Sequence, residues 1–357
     1  MTLTGLFALV VTYIVTAIHL PSFGVDIPRW LYFLAGAAVV FYLHMDSLDG
    51  KQARRTKTSS PLGQLFDHGC DALAVHFILV NLVSTLQLKH EWRAVAGMLY
   101  VYIPWWMAHW EEYHTGVMVY GAGFWGVTEA NYAVAMVHFY TFLVGPKGWT
   151  AKPLSRLSSN SFLASEYFSG LRAPIRILEN LMINDLFLIG FGVMGLGLFL
   201  DQVNRVFKYA GTKYLERTTL PREEHGNKTL GRAAAVSHLL QILLTCTCGG
   251  ILLLLPAHVP GQSKVVMATF GVVYALQATR LIMAHMSKEP FRVAVWPIVL
   301  MLIQIANEPL RFLEPLLLAY IVNMVVVVGY LHYVVSIISE ICNFLGIRAL
   351  TIKAALD

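Results

Sequence analysis

Residues 29–86 read RWLYFLAGAAVVFYLHMDSLDGKQARRTKTSSPLGQLFDHGCDALAVHFILVNLVSTL. Two apolar runs, at about 29–48 and 62–86, flank a short polar segment that concentrates acids, bases and glycine. Each run reaches the roughly 20 residues that a helix needs to cross a hydrocarbon core. Neither shows the alternation of a half-buried strand, and both are too long for a buried one. The stretch therefore predicts two membrane helices joined by a polar turn, with charge gathered at the turn.

The same pattern extends along the chain. Apolar stretches at about 3–20, 29–48, 62–86, 92–110, 126–145, 184–203, 232–256, 264–286, 293–310 and 313–338 predict about ten transmembrane helices in one all-α polytopic domain spanning 1–357. Composition agrees: 57% of the 357 residues are apolar and only 13% charged, where soluble domains average about 25% charged. That balance excludes a water-soluble enzyme. The net charge of +5 is what basic loops on one membrane face produce, and no basic run of the kind that binds nucleic acid is present.

Two loops are long, 146–183 with Lys147, Lys152, Arg156, Arg172 and Arg176, and 204–231 with Arg205, Lys208, Lys213, Arg217, Arg222 and Lys228. Alternation over ten spans puts Lys51, Arg54, Arg55 and Lys57 on the same side as 204–231 and the C-terminus, and the positive-inside bias makes that side cytosolic. Asn227-Lys228-Thr229 fits a glycosylation sequon but faces the wrong compartment on this topology. Cys70, Cys246, Cys248 and Cys342 have no zinc-finger spacing and read as buried small apolar residues. No basic leader with a small-residue cleavage site opens the chain, so no cleaved signal is expected. Interruptions by Gly and Pro are not paired between the two halves, which weakens a transporter reading.

The chemistry lies in the turn. Asp46 and Asp49 are three apart and Asp67 and Asp71 four apart, so each pair shares one helical face, and the turn brings the two faces together. Four unpaired anions at a membrane boundary repel one another and carry a large desolvation cost. Divalent cations offset both, and carboxylates without His or Cys suit Mg²⁺, Mn²⁺ or Ca²⁺. Two such ions balance four charges and can clamp a pyrophosphate. Gly50 and Gly63 allow close approach of a bulky anion, and Arg54 supplies a guanidinium fork for phosphate. The alternative is an ordinary solvated loop, which does not account for acids, small residues and Arg converging at one place.

The spacing Asp46-x-x-Asp49-Gly50-x-x-Ala53-Arg54-x8-Gly63-x3-Asp67-x3-Asp71 matches the signature of the CDP-alcohol phosphotransferase family. The fuller string around it resembles the eukaryotic choline/ethanolamine phosphotransferase branch, which also has about ten spans. The resemblance implies that Asp46, Asp49, Asp67 and Asp71 bind two Mg²⁺ or Mn²⁺ ions and that Gly50, Ala53, Arg54 and Gly63 line the CDP site. It further implies a CDP-ethanolamine or CDP-choline donor, a diacylglycerol acceptor reached from the lipid bilayer, a homodimer, and an endoplasmic reticulum or Golgi membrane. Where the resemblance leads one to expect an interfacial segment before the first span, this sequence opens directly on an apolar run. The core of the chemistry is expected within about 29–145, with C-terminal helices at about 184–338.

Attack by an acceptor hydroxyl on the β-phosphorus needs a base. Asp71 and His68 are the candidates; a metal-bound carboxylate is a weakened base, whereas an imidazole titrates near neutral pH, which favours His68. For the head group, Trp110, Glu111, Glu112 and Tyr113 at the end of the fourth span and Glu129 at the start of the fifth are candidates, because a quaternary ammonium suits an aromatic cage and a primary one also wants acceptors. Trp105 and Trp106 read as an interfacial aromatic belt, and His76, His138 and His238 as packed, satisfied core histidines. The stretch His109-Trp110-Glu111-x-Tyr113-x-Thr115-Gly116 leans toward the ethanolamine-type members. The rivals are a family member with a soluble inositol or glycerol phosphate acceptor, for which no extra basic pocket is visible, and a divalent-cation channel, which needs acids along several spans. An inactive scaffold subunit is a third, against which the intact motif argues.

Overall fold

The computed structural model describes residues 1–20, 26–88, 91–119, 121–122, 125–155, 172–211, 231–255 and 262–349. Arg156, Lys213, Arg217, Arg222, Lys228, the 227–229 sequon and the side chain of Arg172 lie outside the described residues. Every apolar stretch of the sequence forms a helix: α1 Thr2–His19, α2 Arg29–Arg55, α3 Pro61–Thr85, α4 Glu91–Thr115, α5 Val127–Val144, α7 Ile183–Gly211, α8 Arg232–Leu254, α9 Gln262–Ser287, α10 Val295–Leu310 and α11 Pro315–Leu345. A further helix, α6 Arg172–Asn180, lies within the 146–183 loop, where no apolar run predicts one. A two-residue hairpin, Gly121–Ala122 with Trp125–Gly126, precedes α5.

Seven of these helices are long and apolar enough to cross a membrane. The other three of the expected ten fall short for visible reasons. Helices α4 and α5 carry His, Tyr and Glu among their apolar residues, and α10 has only 16 residues. The chain is an all-α polytopic membrane protein.

Helix α9 is the hub. It packs against α3, α4, α8 and α11, and 78% of its spanning window is buried, against 22% for α7 and α11, which turn their apolar faces outward. Close approach at the hub depends on small residues, as lipid-solvated bundles require. A Cβ on Gly271 of α9 would lie 2.3 Å from the ring of His76 on α3, and one on Gly249 of α8 2.1 Å from Phe270.

Several core histidines pair across helices through one ring nitrogen. His76 Nδ1 lies 2.6 Å from the Tyr102 hydroxyl, His138 Nδ1 2.8 Å from Thr85 Oγ1, and His238 Nδ1 3.2 Å from His114 Nε2. Gln277 donates to the Ala294 carbonyl and accepts from its N–H, fixing the link between α9 and α10. All four cysteines are free; Cys70, Cys246 and Cys248 are buried, whereas Cys342 is half-exposed rather than buried as the sequence suggested.

The turn between α2 and α3 decides where the acids meet. Helix α2 runs past the predicted end at residue 48 to Arg55, so Asp46, Asp49, Gly50, Ala53 and Arg54 share one helix. It then closes with Lys57 in the left-handed region (φ 54°), the Thr58 N–H bonded to Ala53 O and the Lys57 N–H to Arg54 O. That pair of bonds is a Schellman cap, which reverses the chain while satisfying the last carbonyls. Ser60 then caps α3 by accepting from the Gly63 N–H at 3.1 Å, with Pro61 at the first helical position.

Candidate active site

The reversal sets the last turns of α2 against the first turns of α3. One carboxylate oxygen from each of Asp46, Asp49 and Asp67 lies within 4.8 Å of the other two. At that separation each charged pair repels by about 3 kcal/mol at an effective dielectric constant near 20. Asp46 Oδ1 is buried with no hydrogen-bond partner among the described residues. An oxygen-only donor set with an orphaned buried acceptor fits a hard divalent cation. Asp71 stands one turn deeper on α3 and is outside this trio; its Oδ1 accepts a 2.6 Å hydrogen bond from the Tyr42 hydroxyl of α2.

Around the acids the surface is open. A Cβ on Gly50 would meet only Arg54 Nη1, at 3.4 Å, and one on Gly63 only Ser60 Oγ, at 3.6 Å. Neither glycine is required by the protein's own packing or by a positive φ, so both leave room beside the carboxylates. Arg54 is exposed next to Gly50, and Ala53 is half-buried behind it.

His68, half-buried on α3, presents its ring edge-to-face with His109 of α4, with centroids 5.6 Å apart. Beyond His109 stands Glu112, 3.7 Å from His109 Nδ1 and 3.7 Å from His285 Nε2 of α9. His68 thus links the aspartates to a second polar group built by α4 and α9.

The remaining head-group candidates have other work. Trp110 is fully buried in the core. Glu111, also buried, is held by Arg205 of α7 through both carboxylate oxygens, one contact being 2.9 Å from Nη2 to Oε2. The Tyr113 hydroxyl donates to Glu289 O and accepts from the Phe291 N–H, bracing the loop after α9. Glu129 accepts from the Gly126 N–H and caps α5; it stays at the site end of the bundle, because Tyr132, three residues on, contacts His44 of α2. Trp106 corrects the belt reading: it is fully buried against Tyr274, because α9 covers this face of α4.

Tyr42 and His285 escaped the sequence reading. Tyr42 could have been found, since it precedes Asp46 by four and Asp49 by seven on one helical face. Nothing in the local sequence pairs His285 with Glu112, which is 173 residues earlier.

Residues 1–159 match the family model described as CDP-alcohol phosphatidyltransferase. Choline/ethanolaminephosphotransferase 1 of Arabidopsis thaliana is 30% identical over 364 residues, covering 97% of this chain and 85% of that protein. The chain belongs to the CDP-alcohol phosphatidyltransferase family. An uncharacterized class-I member of the same family from Dictyostelium discoideum, its protein 3, is 28% identical over 98% of this chain and 86% of its own length. Cholinephosphotransferase 1 of Danio rerio is 26% identical over 99% of this chain and 84% of its own length. As a CDP-alcohol phosphotransferase, the chain is an enzyme of phospholipid biosynthesis embedded in a membrane, and its aspartate cluster is the candidate divalent-cation site of that family.

Proposed function

We propose that this CDP-alcohol phosphotransferase moves phosphoethanolamine or phosphocholine from the CDP-alcohol to diacylglycerol, giving the phosphatidyl-alcohol and CMP. The observation that carries the reading is the meeting of Asp46, Asp49 and Asp67 at one end of two spanning helices. Acids confined to one end suit a water-soluble nucleotide meeting a lipid acceptor, and do not line a path for ions across the membrane.

Asp46, Asp49 and Asp67, with the free oxygen of Asp71, are the groups that would hold two Mg²⁺ or Mn²⁺ ions. Bound there, such ions would supply charge neutralisation to the diphosphate and polarisation of the phosphorus under attack. Arg54 offers its fork to a phosphate, and the bare backbone at Gly50 and Gly63 lets the nucleotide lie close. Tyr42 fixes the rotamer of Asp71. A ring nitrogen of His68 takes the proton of the acceptor hydroxyl as the new oxygen–phosphorus bond forms and the bond to the CMP oxygen breaks.

Diacylglycerol reaches this end of the bundle from the bilayer without leaving it. The acceptor therefore needs no basic pocket. The positive-inside bias supports a cytosolic active site, the family resemblance supports an endoplasmic reticulum or Golgi membrane, and the outward apolar faces of α7 and α11 leave surface for a second copy.

The test offers the purified protein labelled CDP-ethanolamine or CDP-choline with diacylglycerol, and separates the lipid products. The expected result is a labelled phospholipid and CMP, lost in EDTA and restored by Mn²⁺ or Mg²⁺. No lipid product from either donor with folded protein contradicts the proposal.

A further inference from the structure

Beside the aspartates stands a second constellation that the transfer chemistry leaves unassigned. Glu112 and His109 come from the last turns of α4, and His285 from the last turn of α9. Both helix ends lie on the same side of the bundle as the α2–α3 turn, and His68 bridges the two groups through its ring contact with His109.

Among the described residues, Glu112 pairs with two imidazoles and with no Lys or Arg. His109 Nδ1 faces one of its oxygens and His285 Nε2 the other, each at 3.7 Å, longer than a well-formed hydrogen bond. The neighbouring acid, Glu111, differs in being locked to Arg205. His109 Nδ1 and His285 Nδ1 are each buried without a hydrogen-bond partner among the described residues. A half-buried carboxylate beside the aspartates, faced by imidazoles and by no Lys or Arg among the described residues, is a place that a cationic ligand completes.

We infer that Glu112, backed by His109 and His285, receives the primary ammonium of the CDP-alcohol and makes the enzyme prefer ethanolamine over choline. The inference rests on the phosphotransferase reading above. An alkylammonium carries three N–H donors and a positive charge, which match the charge and the two oxygens of Glu112. A trimethylammonium has no donor; it would cover these acceptors and leave them unpaired, the kind of mismatch that discriminates most strongly. Its favoured partner is an aromatic cage. Of the tryptophans on α4, only Trp105 reaches this group, by ring contact with His109 at 4.4 Å, while Trp106 and Trp110 are fully buried in the core.

The experiment compares kinetics of wild type and Glu112→Gln with CDP-ethanolamine and with CDP-choline. The expected result is a KM for CDP-ethanolamine raised by about tenfold or more, a KM for CDP-choline changed by less than about twofold, and kcat within about threefold for both. Glu112→Asp, which keeps the charge, is expected to retain the ethanolamine preference. If Glu112→Gln does not purify as a folded protein, His285→Gln reads the same ratio of kcat/KM values, which must fall. An equal loss with both donors, an unchanged ratio, or a wild type that prefers CDP-choline overturns the inference while leaving the phosphotransferase reading intact. A wild type that makes lipid from neither donor overturns both.

Discussion

Tyr42 of α2 and Asp71 of α3 are joined by a 2.6 Å hydrogen bond from phenol to carboxylate. The bond does two things: it ties together the helices that carry the acids, and it occupies one oxygen of the aspartate outside the close trio. A hydrogen bond to a charged acceptor contributes about 1.5–3 kcal/mol. Tyr42→Phe is therefore expected to lower kcat/KM by roughly 10- to 100-fold. Steady-state kinetics check this, with the melting midpoint recorded alongside to separate a site effect from loss of fold.

The packing of α9 on α3 gives a stability prediction. A Cβ at Gly271 would stand 2.3 Å from His76, whose ring is also bonded to Tyr102 and cannot retreat freely. Overpacking of this kind costs about 1–3 kcal/mol. Gly271→Ala is expected to lower the thermal midpoint and, by shifting the helix that carries Asp67 and Asp71, to lower activity as well. Gly148→Ala, where a Cβ meets nothing within 4 Å, serves as the control and is expected to leave the midpoint unchanged.

Glu111 is held by a buried ion pair and gives a second stability prediction. Its side chain is 2% exposed, while its partner Arg205 is 37% exposed. Removing one partner of a fully buried pair costs about 3–5 kcal/mol, and the solvent at Arg205 reduces this to roughly 1–3 kcal/mol. Glu111→Gln is expected to lower the midpoint with little change in the KM for either donor. In a double-mutant cycle with Arg205→Gln, the double variant should be less destabilised than the sum of the singles.

Much of this was legible in the residues themselves. Ten apolar stretches gave ten helices because a run of about 20 apolar residues has few other fates. The acids could be placed on two facing surfaces because helical spacing is periodic. What stayed hidden depends on residues far apart or on unusual backbone. The turn that unites the acids relies on Lys57 in a conformation usually given to glycine, so no turn residue announced it. The burial of Trp106 needed α9, more than 150 residues away, to cover it, and the pairing of Glu111 with Arg205 crossed 94 residues. Helix α6 is nine residues of mixed polarity, below what apolar runs reveal.

The central claim is that Asp46, Asp49 and Asp67 form one divalent-cation site. The most direct measurement is titration of purified protein with Mn²⁺ in the presence of CDP, read by electron paramagnetic resonance, for wild type and Asp67→Asn. The account predicts bound Mn²⁺ in the wild type and an affinity weakened by at least about tenfold in the variant. Equal binding by both proteins, or none by the folded wild type, would contradict it.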